Sequence, residues 1–179
     1  MFSSDPRMAM SKLSSGDSVL FLDFDGPMHP DAVFRTKHGM ELRAPGRLFM
    51  HAPLLVDILK AFPEVKISLS TSWSRTLGFR RARACLPAEL QARTISSTWH
   101  SKMPRRPHQG YDTASRFEQI AAAVATAGLT RWVALDDDPL RSWPDSTPEK
   151  SHLVRCDSLA GLSESRVQHE LMLKLQALR

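Results

Sequence analysis

The most constraining feature of this chain is an apolar run that ends in acids. Val19 to Phe24 reads Val-Leu-Phe-Leu-Asp-Phe and is followed by Asp25-Gly26-Pro27. A short apolar stretch without alternation predicts a strand covered on both faces, as in a parallel sheet. Ligands of such sheets lie beyond the carboxyl ends of the strands, and this strand delivers Asp23 and Asp25 there. Two later strands do likewise. Val65 to Leu69 flows into Ser70-Thr71-Ser72, and Trp132 to Leu135 into Asp136-Asp137-Asp138-Pro139.

Helical patterns alternate with these strands. Leu54, Leu55, Ile58 and Leu59 recur at helical spacing between Pro53, suited to a first turn, and Pro63. Residues from about Ser74 to Leu86 read as a basic helix, Thr94 to Thr98 as a weaker strand, and His152 to Arg155 as a short fifth one. An alanine-rich helix runs to Ala127, with Asp112 as N-cap and Gly128 as stop. A last amphipathic helix starts at Ser163 and carries Val167, Leu171, Leu175 and Leu178. The expected fold is α/β: a doubly wound, Rossmann-like parallel sheet of about five strands. One domain over residues 18–179 follows a loose leader, residues 1–17. Only 38 residues separate Gly26 from Val65, which leaves no room for a large cap domain over the sheet edge.

A length of 179 residues suits a single domain. The two cysteines, Cys85 and Cys156, are too few for a disulfide framework or a four-ligand zinc site. No apolar run approaches the roughly 18 residues of a membrane helix. The expectation is a cytoplasmic monomer with no membrane partner. Charge is unevenly spread: Lys66 to Arg116 holds ten basic residues against two acids, Glu89 and Asp112, although the whole chain is only +5. A basic middle with an acidic remainder suits a protein that grips a polyanion near a carboxylate-rich site; a solvated basic helix is the plainer reading.

The sheet edge defines the chemistry. A turn at Gly26 can bring Asp25 beside Asp23, so that one carboxylate serves as nucleophile while the other handles protons. Asp136 and Asp137 add negative charge to the same edge, and so many acids repel unless a cation neutralises them. An oxygen-only cluster suits Mg²⁺.

The stretches VLFLDFDGPMHP, LSTSW and WVALDDDP resemble the haloacid dehalogenase (HAD) superfamily, and more closely the HAD domains of Swiss-army-knife RNA repair proteins. The resemblance covers roughly residues 18–178. It implies a Mg²⁺-dependent phosphohydrolase that works through an aspartyl-phosphate. Asp23 matches the nucleophile and first metal ligand. Asp25 matches the general acid/base, which also gives its backbone carbonyl to the metal. Ser70 matches the phosphate-binding hydroxyl, with Thr71 as the alternative, and Asp136 and Asp137 match the metal-binding pair, with Asp137 as the direct ligand. Arg116 matches the phosphate-neutralising basic residue, with Lys102 second. The basic middle and the missing cap point to a phosphorylated RNA or DNA end or a nucleotide as the expected substrate, gripped by Arg80, Arg81, Arg83, Arg105 and Arg106. The competing readings are a small-metabolite phosphatase and a catalytically silent binding module of the same fold.

Aromatics lie among these basic residues. Trp73, Trp99, His100, His108 and Tyr111 are placed to stack on bases, although core packing is the commoner fate of such tryptophans. His29, His38 and His51 follow the first motif and leave a transition-metal site open as the alternative, but their irregular spacing favours surface or loop histidines. Cys85 reads as filler near a helix end.

Overall fold

The structure, a computed structural model, describes residues 11–101, 103 and 113–179. In chain order the elements are β1 (Ser18–Leu22), β2 (Val33–Thr36), β3 (Gly39–Leu42), α1 (Ala52–Lys60), β4 (Lys66–Leu69), α2 (Ser72–Leu77), α3 (Phe79–Ala84) and α4 (Ala88–Arg93). Then follow β5 (Thr94–Ser97), α5 (Arg116–Ala127), β6 (Arg131–Asp136), β7 (Leu153–Arg155) and α6 (Ser165–Gln176). Five strands form one parallel sheet in the order β5-β4-β1-β6-β7. The chain builds outward from β1 to β4 and β5, then returns through α5 to lay β6 against the other side of β1. The edge beyond β4, β1 and β6 is therefore the topological switch point, where a doubly wound sheet takes its ligand.

Every residue of β1 is buried, which accounts for its unbroken apolar run. Leu20 and Leu22 join Leu55 and Leu59 of α1 and Val167, Leu171 and Leu175 of α6 in one core. Val19 and Phe21 join Ile120 of α5 and Trp132 and Ala134 of β6 in a second. Each such side chain contributes about 1.5–3 kcal/mol by leaving water. Continuing the same period of two, Asp23 and Asp136 fall on the α5 face and Asp137 on the opposite one.

Several local expectations need correction. The single basic helix is two: Gly78, at φ 84°, breaks it between α2 and α3, a backbone conformation that a side chain disfavours. The helix α5 is capped by Ser115 rather than Asp112, which lies outside the described residues. A 3₁₀ turn, Gly161–Ser163, precedes α6, so that helix begins two residues late. The β2–β3 hairpin escaped because its strands are only four residues each and half exposed, and the alternation of Met40 and Leu42 in β3 is too short to read. Residues 11–17 are not loose: Ser11 N–H donates to the Ile95 carbonyl at 2.8 Å, Leu13 packs on the α5-side core, and Lys66 Nζ donates to Asp17 Oδ1 at 2.7 Å. Among the described residues no helix is long and apolar enough to cross a membrane.

Candidate active site

The end of β1 is tied to β6 by the Asp23 N–H, which donates to the Leu135 carbonyl at 3.1 Å. One oxygen of Asp23, Oδ1, accepts the Phe24 N–H at 2.7 Å. The other, Oδ2, lies 3.3 Å from Arg116 Nη2, and Arg116 Nε lies 3.1 Å from Asp136 Oδ2. One guanidinium thus spans the ends of two neighbouring strands. Its place is set locally. Arg116 opens α5, where the Ser115 side chain accepts the Glu118 N–H at 3.2 Å and Glu118 Oε2 accepts the Ser115 N–H at 2.6 Å.

Asp137 arrives from the opposite face through a close approach to Gly26. That glycine has φ 86°, and a Cβ there would sit 2.6 Å from the Asp137 carboxyl carbon. Gly161 in turn backs the loop: a Cβ on it would lie 2.2 Å from the Gly26 carbonyl oxygen, and the Leu162 N–H donates to the Pro27 carbonyl at 3.1 Å. The result is a buried cluster in which Asp23, Asp136 and Asp137 each offer an oxygen within 4.8 Å of the others.

Burial drives the electrostatics of this cluster. It raises the Asp23 carboxyl well above the ordinary carboxylate range; Arg116 works against the rise, and Asp136 and Asp25 add to it. Burial likewise pushes Asp136 up to about 7, again opposed by Arg116, and raises Asp137, which a Ser158 hydrogen bond opposes. Asp137 Oδ2 is buried and accepts no hydrogen bond. Three converging carboxylates with an orphaned oxygen fit a hard divalent cation, and an oxygen-only donor set fits Mg²⁺.

Over residues 19–167 the chain matches the family described as the HAD domain in Swiss Army Knife RNA repair proteins. The chain belongs to that family. No curated protein and no solved structure matches it. HAD domains generally use Mg²⁺, and in general terms this chain is a HAD-type phosphohydrolase.

In this HAD domain the remaining motif residues separate by role. Ser70, at the end of β4, is buried with its Oγ unpartnered. The Thr71 Oγ1 is instead taken up by capping α2, accepting the Trp73 N–H at 3.4 Å. Asp25 keeps 22% of its side chain exposed, the most open of the motif acids. Trp73 is only 1% exposed, yet its Nε1 donates to both Asp25 oxygens, at 3.2 Å and 3.0 Å. Trp99 is buried as well.

Of the arginines expected to grip phosphate, the three among the described residues divide. Arg80 and Arg81 are exposed. Arg83 is withdrawn from the set: it is 2% exposed and its Nε donates to the Gln91 carbonyl at 2.8 Å, tying α3 to α4. Lys102, Arg105, Arg106, His108 and Tyr111 lie outside the described residues. Of His29, His38 and His51 only His38 is exposed; His29 and His51 are buried, which overturns the surface half of their surface-or-loop reading. Burial and the nearby His29 lower the His51 pKa.

Two residues play a part at the site that the sequence does not show: His29, which reads there only as a surface or loop histidine, and Gly161. His29 contacts Asp25 four residues back, a spacing that carried a faint signal. Gly161 stands in a Gly-Leu-Ser-Glu stretch just before α6, and nothing local shows that it abuts the Gly26 loop.

Proposed function

We propose that this HAD domain is a Mg²⁺-dependent phosphomonoesterase that frees phosphate from nucleic-acid or nucleotide ends by way of a phosphorylated Asp23. The observation that carries the reading is the meeting of Asp23, Asp136, Asp137 and Arg116 at one sheet edge. A phosphate monoester brings about two negative charges to a site already rich in carboxylates. Mg²⁺, when bound by Asp23, Asp136, Asp137 and the Asp25 carbonyl, supplies the charge that makes this approach tolerable. It also answers the pKa problem, since a nucleophilic Asp23 must be ionised while burial alone favours its protonated form.

The residues then divide the work. Asp23 attacks phosphorus, splitting hydrolysis into two displacements. Asp25 gives a proton to the departing ester oxygen and later takes one from the attacking water. Arg116 and Ser70 hold the phosphoryl oxygens; the arginine offers a planar pair of donors, and the Ser70 hydroxyl has no competing partner.

The nucleic-acid substrate is supported by the family description, by the basic Lys66–Arg116 stretch, and by the absence of a large cap between Gly26 and Val65. One observation favours the small-metabolite reading. Arg83 is buried, and Arg93 spends its guanidinium on the carbonyls of Leu59, Phe62, Pro63 and Val65, which thins the exposed basic set.

Kinetics of Arg80→Ala combined with Arg81→Ala separate the two. On a phosphorylated single-stranded oligonucleotide the rate should drop and its salt dependence flatten by about 0.7 per lost phosphate contact, while a small phosphate ester is turned over as before. Equal rates for variant and parent on the oligonucleotide, with no salt dependence, favour the metabolite phosphatase. Absence of Mg²⁺-dependent turnover on any phosphate ester favours the silent binding module.

A further inference from the structure

Asp25 is held by two side chains, one from its own loop and one from α2, and the hydrogen positions follow from the geometry. His29 has no exposed surface. Its Nδ1 lies 3.2 Å from the Phe49 backbone nitrogen, whose N–H can only donate. Nδ1 therefore accepts, the ring hydrogen sits on Nε2, and Nε2 donates to Asp25 Oδ1 at 3.1 Å. Trp73 Nε1, also a pure donor, completes the clamp on Oδ1 at 3.2 Å and Oδ2 at 3.0 Å.

The donors themselves are fixed. The rings of His29, Phe49 and Trp73 pack with centroids 5.0–5.7 Å apart, and Phe24 closes the group at 4.9 Å from Phe49 and 5.6 Å from Trp73. Phe49 adopts φ 58°, a strained backbone for a bulky residue, in the same turn that aims its N–H at His29. The Gly26 N–H donates to the His29 carbonyl at 2.9 Å, so the loop carrying Asp25 closes on the residue that holds it.

We infer that His29 and Trp73 are positioning residues that lock the Asp25 carboxyl so that Oδ2 exchanges the proton with the leaving group. The inference rests on the acid/base role proposed above for Asp25. Oδ1 receives two donors and Oδ2 only one, so Oδ2 keeps the free capacity. In the first displacement an Asp23 oxygen forms a bond to phosphorus. The ester P–O bond breaks with its electron pair left on oxygen, and that oxygen takes the proton from Asp25 Oδ2. In the second, water oxygen bonds to phosphorus, the Asp23–phosphorus bond breaks, and the water proton returns to Asp25. Misplacing such a group by about 1 Å costs roughly 10²-fold. The loss falls hardest on leaving groups that need a proton.

The test compares kcat/KM with Mg²⁺ on 4-nitrophenyl phosphate, whose leaving group departs without help, and on glycerol phosphate, an alkyl ester. This ratio ends at phosphoryl transfer to Asp23, so the later hydrolysis does not mask the effect. Trp73→Phe removes the N–H but keeps a buried ring; His29→Leu removes the second donor. Both should lose roughly ten- to a hundred-fold more on the alkyl ester than on the nitrophenyl ester. His29→Gln, whose amide can donate to Asp25 and accept from Phe49, should recover most of the His29→Leu loss. If His29→Leu does not fold, Trp73→Phe with its melting curve carries the test. Asp25→Asn is the reference. Should Asp25→Asn show the leaving-group split while Trp73→Phe and His29→Leu lose equally on both esters, the positioning inference is overturned and the acid/base role stands. Should Asp25→Asn itself lose equally on both, the acid/base role fails and takes this inference with it.

Discussion

Arg116 and Asp23, 93 residues apart in sequence, meet at 3.3 Å, and the same guanidinium reaches Asp136 at 3.1 Å. With Arg116 only partly exposed and both acids almost fully buried, the pair is weakly screened. Its purpose is best read from what replaces it. Arg116→Met should leave Asp23 and Asp136 without a counter-charge, destabilise the metal-free protein by roughly 3–5 kcal/mol, and raise KM for any phosphate ester. Arg116→Lys should keep part of the activity, since charge survives but the paired donors do not. Melting curves and steady-state kinetics of the two variants check this; equal activity of Met and Lys variants would contradict it.

The raised carboxyl pKa values set a pH dependence with a definite sign. Asp136 titrates at about 7 in the folded chain against 3.8 unfolded, and Asp23 and Asp137 are raised as well. The folded state therefore binds more protons than the unfolded one in this window. Its stability must fall as pH rises from about 4 to 7. Asp17, lowered by its partners, exerts the opposite slope only below its unfolded value; His51, lowered by burial, opposes the fall near neutral pH but is one group against three raised carboxyls. Metal binding needs the carboxylates ionised. The melting temperature without Mg²⁺ should drop between pH 5 and about 7.5, and the gain from millimolar Mg²⁺ should grow over the same interval. A Mg²⁺ gain that does not change with pH would contradict the carboxylate cluster as its origin.

Gly26 and Gly161 form the contact that lets Asp137 reach the cluster. Gly26→Ala puts a methyl 2.6 Å from the Asp137 carboxyl carbon at φ 86°, and Gly161→Ala puts one 2.2 Å from a backbone oxygen at φ 53°. Backbone strain alone costs about 1–3 kcal/mol at each position. Both variants should melt earlier, and Gly26→Ala should also weaken Mg²⁺ binding by displacing Asp137. Calorimetric Mg²⁺ titration of folded Gly26→Ala measures this; parental affinity would place Asp137 outside the metal site.

How much of this was legible in the sequence depended on the range of the interaction. The strands at Val19–Leu22 and Trp132–Leu135 announce themselves because a doubly covered strand is continuously apolar and acids follow each directly, while Val65–Leu69 shows by its Val, Ile and Leu and the hydroxyl turn Ser70-Thr71-Ser72 that follows. The Ser115–Glu118 capping box is local too, and its Ser-x-x-Glu spacing was readable although Asp112 was the cap expected from sequence. Arg83 was not separable from Arg80 and Arg81, since nothing in a run of arginines says which one turns inward to the Gln91 carbonyl. Trp73 carries both readings at once: it is a core aromatic by burial, and its one polar atom faces Asp25. His29 depended on Phe49, 20 residues away, to fix its donor, and no local pattern encodes that.

The central claim is that Asp23 becomes phosphorylated. Acid quenching during turnover of a phosphate ester with Mg²⁺, followed by peptide mass spectrometry, tests it most directly, because an acyl phosphate survives acid better than base. The account predicts a phosphorylated peptide containing Asp23, absent without Mg²⁺ and absent in Asp23→Asn, which should fold but not turn over. Turnover by Asp23→Asn at the parental rate, with parental protein excluded, would contradict it.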